Sequence, residues 1–83
     1  MKYCARIEVI LKPGISDPEG ETTKQSLTEL RCPVNSVNVS KVYTISFEAA
    51  NLAAAKKSVN NMCVMLLANP VKDNFRYEIE EDQ

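Results

Sequence analysis

Apolar and polar residues alternate from position 2 to position 12. Tyr3, Ala5, Ile7, Val9 and Leu11 fall on one face, and Cys4, Arg6, Glu8, Ile10 and Lys12 on the other. A period of two is that of a strand with one face on a core. Such a stretch would span roughly 36 Å, about twice the common strand. The expectation is that a small sheet cannot pair all of it and leaves part for another subunit. Pro13-Gly14 breaks the alternation, and Ser16-Asp17-Pro18-Glu19-Gly20-Glu21 then has the form of a helix start. Asp17 is the predicted N-cap, Pro18 takes the first helical position, and Glu19 and Glu21 complement the helix dipole. The helix is predicted to run to about Leu30, with Gly20, Thr23, Leu27 and Leu30 inward, and to end at Arg31-Cys32-Pro33.

A second strand is predicted over Val34–Ser40, with Val37 and Val39 inward, followed by a turn near Ser40-Lys41. In the third strand Tyr43, Ile45, Phe47 and Ala49 oppose Val42, Thr44, Ser46 and Glu48. This hairpin carries no Asn-Gly or Asp-Gly, so its register is left open. A second helix opens at Ala50-Asn51 and runs to about Ala68, with Leu52, Ala55, Val59, Met62, Cys63 and Leu66 inward. Asn69-Pro70 stops it, because proline biases the preceding residue out of the helical region. Phe75, Tyr77 and Ile79 then alternate with Arg76 and Glu78 as a last strand, and residues 79–83 form an acidic tail expected to fray. The order β-α-β-β-α-β repeats one half-unit. It predicts an α+β fold of two layers, a mainly antiparallel sheet with two helices on one face, as in ferredoxin-like domains.

With 83 residues the chain makes a single domain, 1–83. A domain this small buries only about 60% of the surface its unfolded form exposes, so it needs disulfides, a metal or partner subunits. Cys4, Cys32 and Cys63 are widely spaced and odd in number, and there is no histidine. That argues against a zinc site and against a disulfide framework, and for reduced thiols in a cytoplasmic protein. Partner subunits remain as the support. The net charge of −1 argues against a nucleic-acid binder. No apolar run approaches the roughly 20 residues of a membrane span.

The residues that carry chemistry elsewhere are assigned structural work here. Every aromatic (Tyr3, Tyr43, Phe47, Phe75, Tyr77) falls on the core face. Base stacking on an open sheet, the device of RNA-recognition modules, is thereby excluded. Cys63 sits on the core stripe as a small hydrophobe, and neither Cys4 nor Cys32 has an activating histidine. Asp17, Glu19 and Glu21 converge on a helix start, not on a pocket. Lys56-Lys57 and Glu80-Glu81-Asp82 read as solvated charge, and the only glycines, Gly14 and Gly20, make no phosphate loop. No catalytic, cofactor-binding or metal-ligating set emerges.

Leu66-Leu67-Ala68-Asn69-Pro70-Val71 followed by Asn74-Phe75-Arg76-Tyr77-Glu78-Ile79 closely resembles the end of the PurS family, the small subunit of phosphoribosylformylglycinamidine synthase in purine synthesis. Asp17-Pro18-Glu19-Gly20 and Val37-Asn38-Val39-Ser40-Lys41 match at the right distances. The family's usual glycine after the first helix is absent, with Arg31-Cys32 in its place, and Ser40 replaces another. The resemblance implies a non-catalytic homo-oligomer, dimer or tetramer. It would bridge a synthetase subunit (PurL), which uses ATP and Mg, and a glutaminase subunit (PurQ), and would support ammonia transfer between them. It implies two interface candidates. One is the polar sheet face around Arg6, Glu8, Arg76 and Glu78. The other is the pair of loops at Asp17-Pro18 and Asn69-Pro70. The alternative, from topology alone, is a small-molecule-sensing regulatory domain.

Overall fold

The computed structural model describes residues 1–82. Strand β1 (Lys2–Leu11) leads to helix α1 (Pro18–Glu29), strand β2 (Lys41–Glu48), helix α2 (Leu52–Met62), a π-helical turn over Cys63–Leu67, and strand β3 (Asp73–Glu81). The three strands form one antiparallel sheet in the order β2-β1-β3. The period-two pattern sets the register. Ile7 lies opposite Tyr43 on one side and Tyr77 on the other, and Val9 opposite Phe75, so one face collects the apolar residues of all three strands. Ala5, Ile7 and Val9 are buried there with Val59, Cys63 and Ala68, and Tyr43, Ile45, Phe47, Phe75, Tyr77 and Ile79 pack around them. All five aromatics thus lie on the core side, as their spacing predicts.

Four expectations are corrected. β1 is the central strand and is paired along its length, to β2 over Lys2–Val9 and to β3 over Tyr3–Leu11, so it leaves nothing for another subunit. The free edges belong to β2 and β3 instead. The expected strand at Val34–Ser40 does not form among the described residues; the sheet has three strands, not four. That segment runs beside the start of α1, where its backbone is engaged by Asp17. The expected fraying from Ile79 is also wrong, because β3 continues through Glu81 and the Asp82 N–H donates to the Lys2 carbonyl at 2.8 Å. Gln83, the last residue of the expected tail, lies outside the described residues.

The fourth correction concerns α2. Asn51 caps it by accepting from the Ala54 N–H at 2.8 Å. Ala55, Val59 and Cys63 turn inward at intervals of four. A continued α-helix would bring Leu66 to the core next. The π turn holds more residues per revolution, so Leu67 and Ala68 come inward and Leu66 is left 83% exposed. Leu52, also placed inward from sequence, is exposed.

Helix α1 starts as its sequence dictates but hardly packs. Of its twelve residues only Gly20 is buried. Thr23 and Leu30 of the expected inward stripe are exposed, and Leu27 is half-buried. Its C-terminus closes in a Schellman motif: the Cys32 N–H donates to the Leu27 carbonyl (2.8 Å) and the Arg31 N–H to Thr28 (3.0 Å). Arg31 takes the left-handed conformation, φ 64°, a backbone region that favours glycine. With α1 projecting, the radius of gyration is 16.4 Å, against about 12 Å for a compact chain of this length.

Candidate functional site

The residues expected at subunit interfaces fall in two places in the structure, the open face of the sheet and the loops at one end of it. On the open face of the sheet, Arg6 of β1 lies opposite Glu78 of β3, and Glu8 opposite Arg76. Opposite charges on directly opposed residues stabilise an antiparallel pair. The Arg76 guanidinium contacts the Glu8 carboxylate; Glu8 is largely covered, while Arg76 is 76% exposed. The four charges therefore form an alternating block at the β3 side of the sheet. Cys4, half-buried, lies on the same face between Ser46 and Glu80.

At one end of the sheet the two loops approach one another. The Asp17 carboxylate joins three pieces of chain. Its Oδ1 accepts from the Gly20 N–H and its Oδ2 from the Val39 N–H, both at 2.8 Å. The Val39 bond, then the Gly20 bond, hold the Asp17 carboxyl below the usual aspartate range. Gly20 is required by space: a Cβ there would sit 2.9 Å from Asp17 Oδ2 and well inside contact distance of the Val37 carbonyl oxygen. Asp-Pro-x-Gly is thus a clasp. Asp17 ties the helix start to residues 37–39, Pro18 fixes the first turn, and Gly20 permits the approach.

The second loop is a separate turn. Ala68 is already extended (φ −120°, ψ 140°), so the helical path ends at Leu67 and Asn69 is not its terminator. Asn69 organises the return instead. Its Oδ1 accepts from the Val71 N–H at 2.9 Å, its carbonyl accepts from Lys72 and Asp73, and its own N–H donates to Asp73 Oδ2. Lys12 Nζ donates to the Pro70 carbonyl at 2.8 Å, fastening the turn to the end of β1. Between the loops lies an open cavity of 340 Å³, lined among others by Asp17, Glu19, Lys41, Lys72 and Asp73. Its charges are of both signs, and no His-, Cys- or carboxylate-rich group among the described residues could hold a metal ion. Burial pushes the Cys63 thiol up, away from reactivity.

Sequence reasoning missed one surface. Val64, Met65 and Leu66 stand out from the π turn, the last two 83% exposed, and Val71 lies exposed beyond it. Met62, Met65, Leu66 and Leu67 line a shallow apolar depression with Ile45. The apolar run Met62–Leu67 was visible, but a helical period assigns Leu66 to the core. Only the π turn reverses that.

Comparison with known proteins agrees with this architecture. Residues 4–81 match the family model of PurS, phosphoribosylformylglycinamidine (FGAM) synthase. The chain is 41% identical over 72 residues to the synthase subunit PurS of Archaeoglobus fulgidus, covering 86% of this chain and 90% of the relative. The structure of PurS from Thermus thermophilus superposes over 100% of both chains with a TM-score of 0.87 and 37% identity. A chain in the structure of PurLQS from Thermotoga maritima superposes with a TM-score of 0.86 at 28% identity, covering 96% of this chain and 99% of that one.

Proposed function

The chain belongs to the PurS family, and from that membership we propose that it is the small, non-catalytic subunit of phosphoribosylformylglycinamidine synthase. In this reading it bridges a PurL synthetase and a PurQ glutaminase. It supports passage of ammonia between them for the ATP- and glutamine-dependent amidation of formylglycinamide ribonucleotide. ATP and Mg belong to the synthetase, and this chain binds no cofactor. The observation that carries the bridging role is the likeness, over nearly its full length, to a chain of the PurLQS structure.

The physical character of the chain supports the same reading. Its ordered loops are fastened by backbone and carboxylate bonds, its exposed ridge is apolar, and its charges sit paired on an open sheet. These are features of a molecule that works through surfaces. The candidate contacts are Arg6, Glu8, Arg76 and Glu78 on the sheet, and Asp17, Pro18, Asn69 and Pro70 on the loops. Among the described residues no helix is long and apolar enough to cross a membrane, and the proposed site of action is the cytoplasm. No observation favours the metabolite-sensing alternative.

The test is reconstitution. Adding the chain to purified PurL and PurQ is expected to restore glutamine-dependent amidation, and the three should co-elute on sizing with ADP and glutamine present. Full glutamine-dependent activity of the two large subunits without the chain would overturn the proposal.

A further inference from the structure

Beside the π-helical turn lies a depression of 470 Å³, lined by Ile45 of β2 and by Met62, Met65, Leu66 and Leu67. Met65 and Leu66 stand in solvent here, although Cys63 and Ala68 on either side of them are buried in the core. Exposed apolar patches with a polar rim mark sites of protein contact, and Ser58 and Asn61 of α2 complete the lining with polar groups. The position within the fold says what shape of partner belongs there. The order of the elements provides two helices for this face of the sheet, but only α2 lies on it, toward β3. Helix α1 projects, with Gly20 as its one buried residue. Packed helices lie about 8–10 Å apart. A helix at that spacing from α2, on its β2 side, would rest on Ile45 and lay its side chains into the depression.

We propose that this groove receives an amphipathic helix of one of the large subunits, with an apolar stripe and acidic residues along its flank. The stripe follows from the lining, since anchors spaced three, four and seven residues apart reach along an apolar groove. Methionine suits such a seat, because its flexible, polarizable side chain fills gaps against varied apolar surfaces. The acidic flank follows from charge. No aspartate or glutamate occurs from Leu52 to Leu67, whereas Lys56 and Lys57 do. Lys57 is exposed and lies one helical turn from Asn61 of the lining, which places it at the rim. In a chain of net charge −1 this segment is cationic.

The chain's own helices do not meet this description. Between Pro18 and Glu29, α1 carries Leu27 as its only large apolar residue, so it has no stripe to lay in the groove. α2 turns Ala55 and Val59 into the core, and its exposed Lys56 and Lys57 would meet like charge on a second α2. A partner of different sequence is therefore required. This docking rests on the proposed bridging role for its partner being a subunit of the same synthase.

The experiment measures binding of the chain to purified PurL and PurQ by sedimentation velocity, with ADP and glutamine present. Met65→Asp and Leu66→Asp are each expected to weaken binding about tenfold or more. Lys57→Glu should weaken it about threefold and flatten its salt dependence. The urea midpoints of these variants, and the sizing of each chain alone, should match wild type, because all three side chains are exposed. Leu66→Ala, whose stability is expected to be that of wild type, keeps the test open if an aspartate variant misfolds; its binding should fall about fivefold. A second measurement places the photo-reactive p-benzoylphenylalanine at position 65 of the chain and maps the cross-link in the complex by mass spectrometry. The expected product joins position 65 to a helical segment of a large subunit with acidic residues beside an apolar stripe. Variants that bind as wild type would overturn the groove while leaving the bridging role intact, whereas a wild-type chain that binds neither large subunit would overturn both. Loss of self-association in step with loss of binding, or a cross-link to a second copy or to a segment without acidic residues, would also overturn the docking.

Discussion

Gly20→Ala separates local propensity from tertiary constraint, because the two predict opposite signs. Taken as a helix residue, glycine costs up to about 1 kcal/mol relative to alanine, so propensity predicts stabilisation. The structure places the new Cβ 2.9 Å from Asp17 Oδ2 and against the Val37 carbonyl oxygen, a backbone atom that cannot rotate away. Relief by moving the helix is blocked, since Pro18 fixes the first turn and Asp17 holds Gly20 and Val39 on its two oxygens. Residues 37–39 must retreat. Overpacking costs about 1–3 kcal/mol, and a clash this close against backbone belongs to the upper part of that range, about 2–3 kcal/mol, so a net loss of about 1–2 kcal/mol remains after the propensity gain. In a domain of this size that lowers Tm by roughly 5–10 °C. Urea denaturation followed by circular dichroism reads the loss, and faster exchange of the Val39 amide reads the opened clasp. A variant as stable as wild type with a normally protected Val39 amide would refute the reasoning.

Three more outcomes are expected. Arg31→Gly should stabilise the chain by about 0.5–1 kcal/mol in urea denaturation, because φ 64° is strained for arginine and free for glycine; an unchanged midpoint would count against the Schellman geometry. Leu66→Ala should change stability by less than about 0.5 kcal/mol, while Ile7→Ala should cost about 2–5 kcal/mol; equal losses would mean that the π turn does not reverse the register. The Asp17 carboxyl should titrate below an ordinary aspartate in an NMR pH series. Its folded pKa is depressed, so its stabilisation is present above the unfolded aspartate pKa and is lost as pH falls through the folded value; Asp17→Asn should remove that acid dependence.

The parts of the fold legible in the sequence are those whose cause is local. Alternation over Tyr3–Leu11 and Phe75–Ile79 marks β1 and β3, since a strand with one buried face has no other stable pattern. Asp17 and Asn51 mark helix starts because their side chains reach the first free N–H groups. The misreadings occur where distant groups compete. Val34–Ser40 alternates like a strand, yet Val39 donates to Asp17 across twenty-two positions and the segment joins no sheet. Asn69 has the composition of a helix stop, but the π turn has ended the helical path before it.

The same division holds for function. By itself the sequence determined the class of the fold, the face that buries every aromatic, the absence of a histidine-based site, and the family signature around Asn69-Pro70. These depend on residue identity and short-range spacing, which one strand or one helix turn can read. The tertiary structure alone decided that β1 is central and β3 an edge. It also decided that Arg6, Glu8, Arg76 and Glu78 form an alternating block, and that Leu66 faces outward. Those facts depend on strand order and on how a helix is wound, which are settled only when residues about seventy positions apart compete for the same neighbours.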